Sequence, residues 1–148
     1  MTSVNFASAE IEVMIHATED SKKVLSAIKQ IFSIEPEEFV ANVTRGHFGN
    51  EIVRMQANLS GERANDIAYK IATMLNDVDR VTIYDNFDLF VDKSSIYLRI
   101  SKQKIFEKKI MLDQVDSLKI KLKTVRGFQT KSELENYRML LKGRSDNN

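Results

Sequence analysis

The chain has 148 residues, 43% hydrophobic and 29% charged, with five Gly, one Pro and no Cys, a globular balance that excludes disordered, collagen-like and disulfide-stapled chains. The missing Cys removes thiol catalysis and thiolate metal sites, and apolar runs only three residues long, such as Val13-Met14-Ile15, fall far short of the roughly twenty a membrane span needs, so a soluble, intracellular protein is expected. The net charge of +1 hides a division: residues 1–92 carry 8 Lys/Arg against 15 Asp/Glu, and residues 93–148 carry 14 against 6, an asymmetry that points to a polyanionic partner or to mutual attraction of the halves within or between subunits.

Residues 9–17 alternate Ile11, Val13 and Ile15 with Glu10, Glu12 and Met14, the period of a strand buried on one face. Thr18-Glu19-Asp20-Ser21 then supplies an N-cap hydroxyl and two carboxylates for the first turn of a helix, whose apolar stripe is Val24, Leu25, Ile28, Ile31 and Phe32. Glu35-Pro36 is expected to end it. Strand patterns follow at residues 38–44 and 52–59, joined by Arg45-Gly46-His47-Phe48-Gly49-Asn50, where two glycines suit a hairpin connection. A second helix begins near Glu62, buries Ala64, Ile67, Ala68, Ile71 and Leu75, and closes at Asn76-Asp77.

Residues 79–84 fit either a short helix or a short strand, with Asp79 as a cap favouring the helix, and residues 87–91 and 96–100 read as strands joined by a turn at residues 92–95. A brief polar helical excursion covers residues 102–108. Leu118-Lys119-Ile120-Lys121-Leu122-Lys123 alternates without a break, placing three ammonium groups on one side of a strand. Thr130-Lys131-Ser132-Glu133 fits a capping box opening a last helix through Leu134, Tyr137 and Leu141. These elements predict an α+β fold, a mixed but mainly antiparallel sheet with helices packed on one face in two layers. One domain is expected over residues 1–142, with a frayed tail at 143–148.

No phosphate loop, dinucleotide-binding turn, hydrolase elbow or zincin motif occurs. His16 and His47 are the only histidines, short of the three ligands a catalytic zinc normally takes, and Asp85, Asp88 and Asp92 lack the spacing of a calcium loop. No catalytic residue, metal or cofactor is expected. Gly46-His47-Phe48-Gly49 matches a G-x-x-G nucleic-acid clamp in letters, but in KH modules that loop joins two helices, and here strand patterns flank it. The richest local signal lies between Arg99 and Arg126, where nine basic residues meet the three acids Glu107, Asp113 and Asp116. Lys119, Lys121 and Lys123 stand about 7 Å apart along their strand, a row that a phosphate backbone can follow. A solvated strand face, or an edge guarded by lysines, is the plainer alternative.

His16-Ala17-Thr18-Glu19-Asp20, then Lys23-Val24-Leu25 with Ala27-Ile28, Gly46-His47-Phe48-Gly49-Asn50, and Tyr97-Leu98-Arg99 with Lys102-Gln103 together resemble an archaeal RNA-binding family of exosome-associated subunits with a double-stranded-RNA-binding-like fold. The similarity spans residues 8–126, and the layout also looks similar to ribosomal proteins that contact structured RNA. Two positions depart from the family pattern: Glu51 replaces a usual proline, and Ser101 a usual aspartate. The resemblance implies a cytoplasmic protein of RNA processing.

An RNA-binding module without chemistry of its own is therefore expected, recognising structured RNA by backbone and shape. Lys119, Lys121, Lys123 and Arg126 would contact phosphates, Lys102, Gln103 and Lys104 would extend the surface, and Arg99 would anchor it. His16, Thr18, Glu19 and Asp20 would shape the first strand-to-helix junction, and Arg45, Gly46, His47, Phe48, Gly49 and Asn50 the neighbouring hairpin. The alternative is an assembly protein that dimerises, or docks on exosome subunits, through its acidic and basic regions. A small metal-dependent nuclease is a third possibility.

Overall fold

Alternation builds the sheet. In the computed structural model, which describes residues 4–45, 49–125, 127 and 130–143, strand β1 (Phe6–His16) turns Ala9, Ile11, Val13 and Ile15 inward and leaves Glu10, Glu12, Met14 and His16 on the other face. The remaining strands are β2 (Val40–Arg45), β3 (Glu51–Ser60), β4 (Val91–Asp92), β5 (Ser95–Ser101) and β6 (Ser117–Thr124). They form one six-stranded sheet of order β2-β3-β1-β6-β5-β4, antiparallel at every pairing. The expected α+β class thus holds, and the mixed character resolves into a fully antiparallel sheet.

Helix α1 (Ser21–Phe32) buries Val24, Leu25, Ala27, Ile28, Ile31 and Phe32, the stripe its spacing predicts. Its cap is Asp20, not Thr18: the Asp20 carboxylate accepts from the Lys22 N–H at 3.0 Å. Nor does Pro36 terminate it, because the chain leaves the helix at Ser33, which adopts left-handed backbone angles (φ 58°, ψ 36°) and donates its N–H to the Lys29 carbonyl at 2.8 Å. Pro36 instead opens a short 3₁₀ turn, Pro36–Glu38, as its fixed φ allows. A side chain at Ser33 is strained by its Cβ, so Ser33→Gly is expected to stabilise the fold by about 0.5–1 kcal/mol, read as a melting temperature raised by about 1–4 °C.

Helix α2 (Glu62–Met74) buries Ala64, Ile67, Ala68, Ile71 and Ala72. Asn76 does not close it but caps the next helix, α3 (Asp77–Asp85), accepting the Asp79 N–H at 2.8 Å. Asp79 is thereby released from the capping role expected of it, and its carboxylate holds the Leu112 N–H at 2.9 Å. Residues 87–90 form a 3₁₀ turn rather than a strand. Phe87 is buried and Phe90 partly so; three residues apart, they share a face in a 3₁₀ turn, and a run of four mostly apolar letters cannot tell that from a strand.

Helix α4 (Lys102–Ile105) is a single turn, and α5 (Thr130–Gly143) closes the fold. The capping box expected at Thr130 does not form: its hydroxyl donates to the Gly127 carbonyl at 3.0 Å, and Glu133 accepts the Asn5 N–H at 2.5 Å. Tyr137 anchors α5, fully buried, its hydroxyl donating to the Ala68 carbonyl of α2 at 2.8 Å. Its ring meets Phe6 edge-on at 5.3 Å. All these buried side chains belong to one apolar cluster between the sheet and the helices, leaving the opposite sheet face open. Among the described residues no helix is long and apolar enough to cross a membrane.

Candidate nucleic-acid interface

Strand β6 runs through the interior of the sheet, hydrogen-bonded to β1 on one side and β5 on the other. Lysines guarding an edge are therefore not the reason for its alternation. Leu118, Ile120 and Leu122 point into the core, and Lys119, Lys121 and Lys123 point to the open face.

The register decides what surrounds each ammonium. Lys119 lies between Glu12 of β1 and Arg99 of β5, Lys121 between Glu10 and Tyr97, and Lys123 between Ser8 and Ser95. The acidic half of the sequence thus reaches into the basic half, because β1 separates β3 from β6. Glu12 is already engaged: it accepts from Arg54 Nε at 2.7 Å. None of the three lysines forms an ion pair with a described residue. On these strands five cations, Arg54, Arg99, Lys119, Lys121 and Lys123, share the open face with two carboxylates, Glu10 and Glu12.

Tyr97, 44% exposed, stands on the same face with Lys121 Nζ 5.6 Å from its ring centroid, a cation–π contact. An exposed ring bordered by cations is a surface on which a base can stack beside bound phosphates. The depression here has a volume of about 170 Å³ and is lined by Glu10, Glu12, Tyr97, Arg99, Lys119 and Lys121 among others. That is smaller than the roughly 300–1,000 Å³ of a small-molecule pocket. Arg54 was not singled out from the sequence, and Tyr97 entered only through the family resemblance, not as a residue expected to contact RNA. Tyr97 was within reach, since its parity with Arg99 along β5 assigns both to one face; Arg54 required knowing that β3 borders β1.

Lys102 corrects the expected surface. It is 1% exposed, and its ammonium donates to the Met14 carbonyl at 2.7 Å and to Glu19 Oε1 at 2.9 Å, with Asp116 Oδ1 at 3.2 Å. Those partners match the three donors of a lysine, so it has nothing to offer a phosphate. Burial pushes the Glu19 carboxyl up, but the His16 N–H and the hydrogen bond and charge of Lys102 outweigh it and hold the group below its ordinary value. Glu19 also accepts the His16 N–H at 2.9 Å and returns its own N–H to the His16 carbonyl at 2.9 Å. The stretches His16–Asp20 and Tyr97–Gln103, which carried the family resemblance, are thereby bolted together.

Of the other residues expected at the site, Arg99 is exposed on the open face. Gln103 and Lys104 are not beside it: α4 packs against α1 in the helical layer, and Lys104 meets Glu107 at 3.4 Å. Ser101, the departure from aspartate, caps α4 by accepting the Lys104 N–H at 3.1 Å, a task its hydroxyl performs as a carboxylate would. His16, Thr18 and Asp20 are exposed at the β1–α1 junction. Arg45 pairs with Glu51 where the β2–β3 hairpin opens, and Gly49 (φ 84°) and Asn50 lead into β3. Gly46, His47, Phe48 and Arg126 lie outside the described residues, as do 144–148 of the expected tail. Among the described residues no three His, Asp or Glu side chains gather where they could hold a metal ion.

A family model described as RNA binding matches residues 8–124. The chain belongs to that RNA-binding family. It is 31% identical to the RNA-binding protein PAB1135 of Pyrococcus abyssi over 83% of this chain and 84% of that one. It is 30% identical to MJ0213 of Methanocaldococcus jannaschii over 67% and 70%. Among solved structures, SSO0741 from Sulfolobus solfataricus superposes with a TM-score of 0.73 at 26% identity, covering 93% of this chain and 98% of that one. Mth689 from Methanothermobacter thermautotrophicus gives 0.74 at 20% identity over the same shares; at that identity the likeness concerns the fold. All four of these relatives are archaeal.

Proposed function

We propose that the open face of the sheet binds structured RNA by its phosphates and shape, without catalysis. The carrying observation is the row Lys119, Lys121 and Lys123, each free of ion pairs among the described residues and bordered by the exposed Tyr97, in a chain of an RNA-binding family. Like charges at two-residue spacing repel, and a phosphate backbone relieves that repulsion while releasing counterions. Tyr97 adds a ring face for an unstacked base. The resemblance in its sequence further supports work beside exosome subunits in the cytoplasm, which copurification of the tagged protein from its own cells tests. Assembly through acidic and basic regions has less to recommend it, since Glu10 and Glu12 already face Lys121 and Lys119 within one sheet.

The test is a titration of a hairpin RNA at several salt concentrations. Replacing Lys119, Lys121 and Lys123 together by Gln is expected to reduce the slope of log affinity against log salt by about 2.7 on a duplex stem, and to weaken hairpins of different sequence alike. A slope equal to that of the wild type would remove these lysines from the interface.

A further inference from the structure

On the helical side, α1 and α4 enclose a groove of about 330 Å³ lined by Lys22, Lys23, Ser26, Gln30 and Phe106 together with Ala27 and Ile105. Phe106 is 45% exposed there, unlike its neighbour Ile105, which is buried in the core. Lys22 and Lys23 occupy the first turn of α1, which contains no acidic residue. The Asp20 carboxylate that caps α1 meets the helix dipole, and both lysines line the groove. Neither lysine forms an ion pair with a described residue, and Lys108, two residues past Phe106, is likewise exposed and unpaired among the described residues.

Lys102, the first residue of α4, is tied to Glu19, two residues before α1, and to the Met14 carbonyl of β1. The start of α4 and the approach to α1 are thereby joined beside the groove.

From this we infer that the α1–α4 groove is a second RNA site, distinct from the sheet face, that takes a single-stranded segment: a base lies against Phe106 and flanking phosphates meet Lys22 and Lys23. An exposed aromatic beside unpaired cations is the arrangement that binds unpaired nucleotides irrespective of sequence. Duplex RNA, whose bases are stacked inside the helix, offers Phe106 nothing. The inference rests on the RNA-binding reading above and assigns the two surfaces different parts of one RNA: a hairpin on the sheet, its stem along the lysine row and a loop base against Tyr97, and an unpaired extension in the groove.

Two RNAs separate the surfaces: a blunt hairpin, and the same hairpin with a short single-stranded 3′ extension of uridines. The extension is expected to tighten binding to the wild type about tenfold, a single base–aromatic stack. The variant Lys22→Gln/Lys23→Gln/Phe106→Ser should bind the blunt hairpin as the wild type does and gain nothing from the extension. All three side chains are at the surface, and Lys22→Gln/Lys23→Gln, which keeps the ring, should lose part of the gain. The Lys119, Lys121 and Lys123 to Gln variant should weaken on both RNAs and keep the tenfold ratio. If the extension brings the wild type no gain, or the groove variant keeps it, the second site is refuted. If the sheet variant holds full affinity for the blunt hairpin, the sheet-face reading fails, and the ratio measured with the groove variant still decides the groove.

Discussion

Lys102→Met is expected to destabilise the protein by about 3 kcal/mol, the lower end of what breaking a buried ion pair costs, and to lower its melting temperature by about 6–12 °C. The methionine fills the space of the lysine stem, so the loss is electrostatic rather than a cavity. Glu19 and the Met14 carbonyl lose the donor that satisfies them, and Asp116 loses its cation. The estimate stays at the lower end because both carboxylates keep some access to water, with side chains 23% and 42% exposed.

The same variant carries a pH signature. The folded state holds the Glu19 carboxyl below its ordinary value of 4.5, so its contribution is complete above that value and is lost as the pH falls through the lowered pKa. Without Lys102 the main lowering charge is gone and burial still pushes Glu19 up. The stability difference between wild type and Lys102→Met should therefore be largest near neutrality and shrink on acidification, measured by denaturant unfolding at a series of pH values. A difference independent of pH would mean that Lys102 acts through packing alone. Below the melting transition, affinity for a blunt hairpin should match the wild type, because Lys102 does not reach the surface.

Tyr137→Ala is expected to cost about 3–5 kcal/mol, the usual range for removing a large buried aromatic. The ring is 0% exposed and meets Phe6 edge-on. It joins α5 to the first strand and, through its hydroxyl, to the Ala68 carbonyl. Tyr137→Phe removes only that hydroxyl and should cost about 1 kcal/mol, so thermal unfolding of the pair apportions the effect between ring and hydrogen bond. Hydrogen exchange should quicken first along α5. A Tyr137→Ala protein as stable as the wild type would show that α5 contributes little to the core.

Periodicity in the chain carried the helices α1 and α2 and the strands β1, β3 and β6, because a single buried face imposes 3.6 or 2 on the spacing of apolar residues. It carried less at the joints. Thr18, Asp79 and Thr130 each look like a cap, yet Asp20 and Asn76 cap α1 and α3 and the Thr130 hydroxyl donates to a carbonyl instead. Several side chains within a few residues have the chemistry to cap, and the path of the chain selects among them.

The site divides in the same way. That Lys119, Lys121 and Lys123 share a face follows from alternation alone, whatever the strand's neighbours. Lys102 is the opposite case: its letters are those of a surface lysine, and only the meeting of the β1–α1 junction with the start of α4 turns it inward. Its spacing of three from the buried Ile105 was the one local hint.

What the amino-acid order determined by itself is everything that rests on local spacing: the α+β class, the inward faces of the main elements, and a lysine row on one side of a strand. Tertiary structure alone decided which strands are neighbours. By inserting β1 between β3 and β6 it set Glu10 and Glu12 beside the lysines, brought Arg54 and Tyr97 to the same face, and made a structural bolt of Lys102. The physical reason is that backbone pairing joins residues as distant as Phe6 and Thr124, and no spacing along the chain encodes which distant partner a half-buried strand will find.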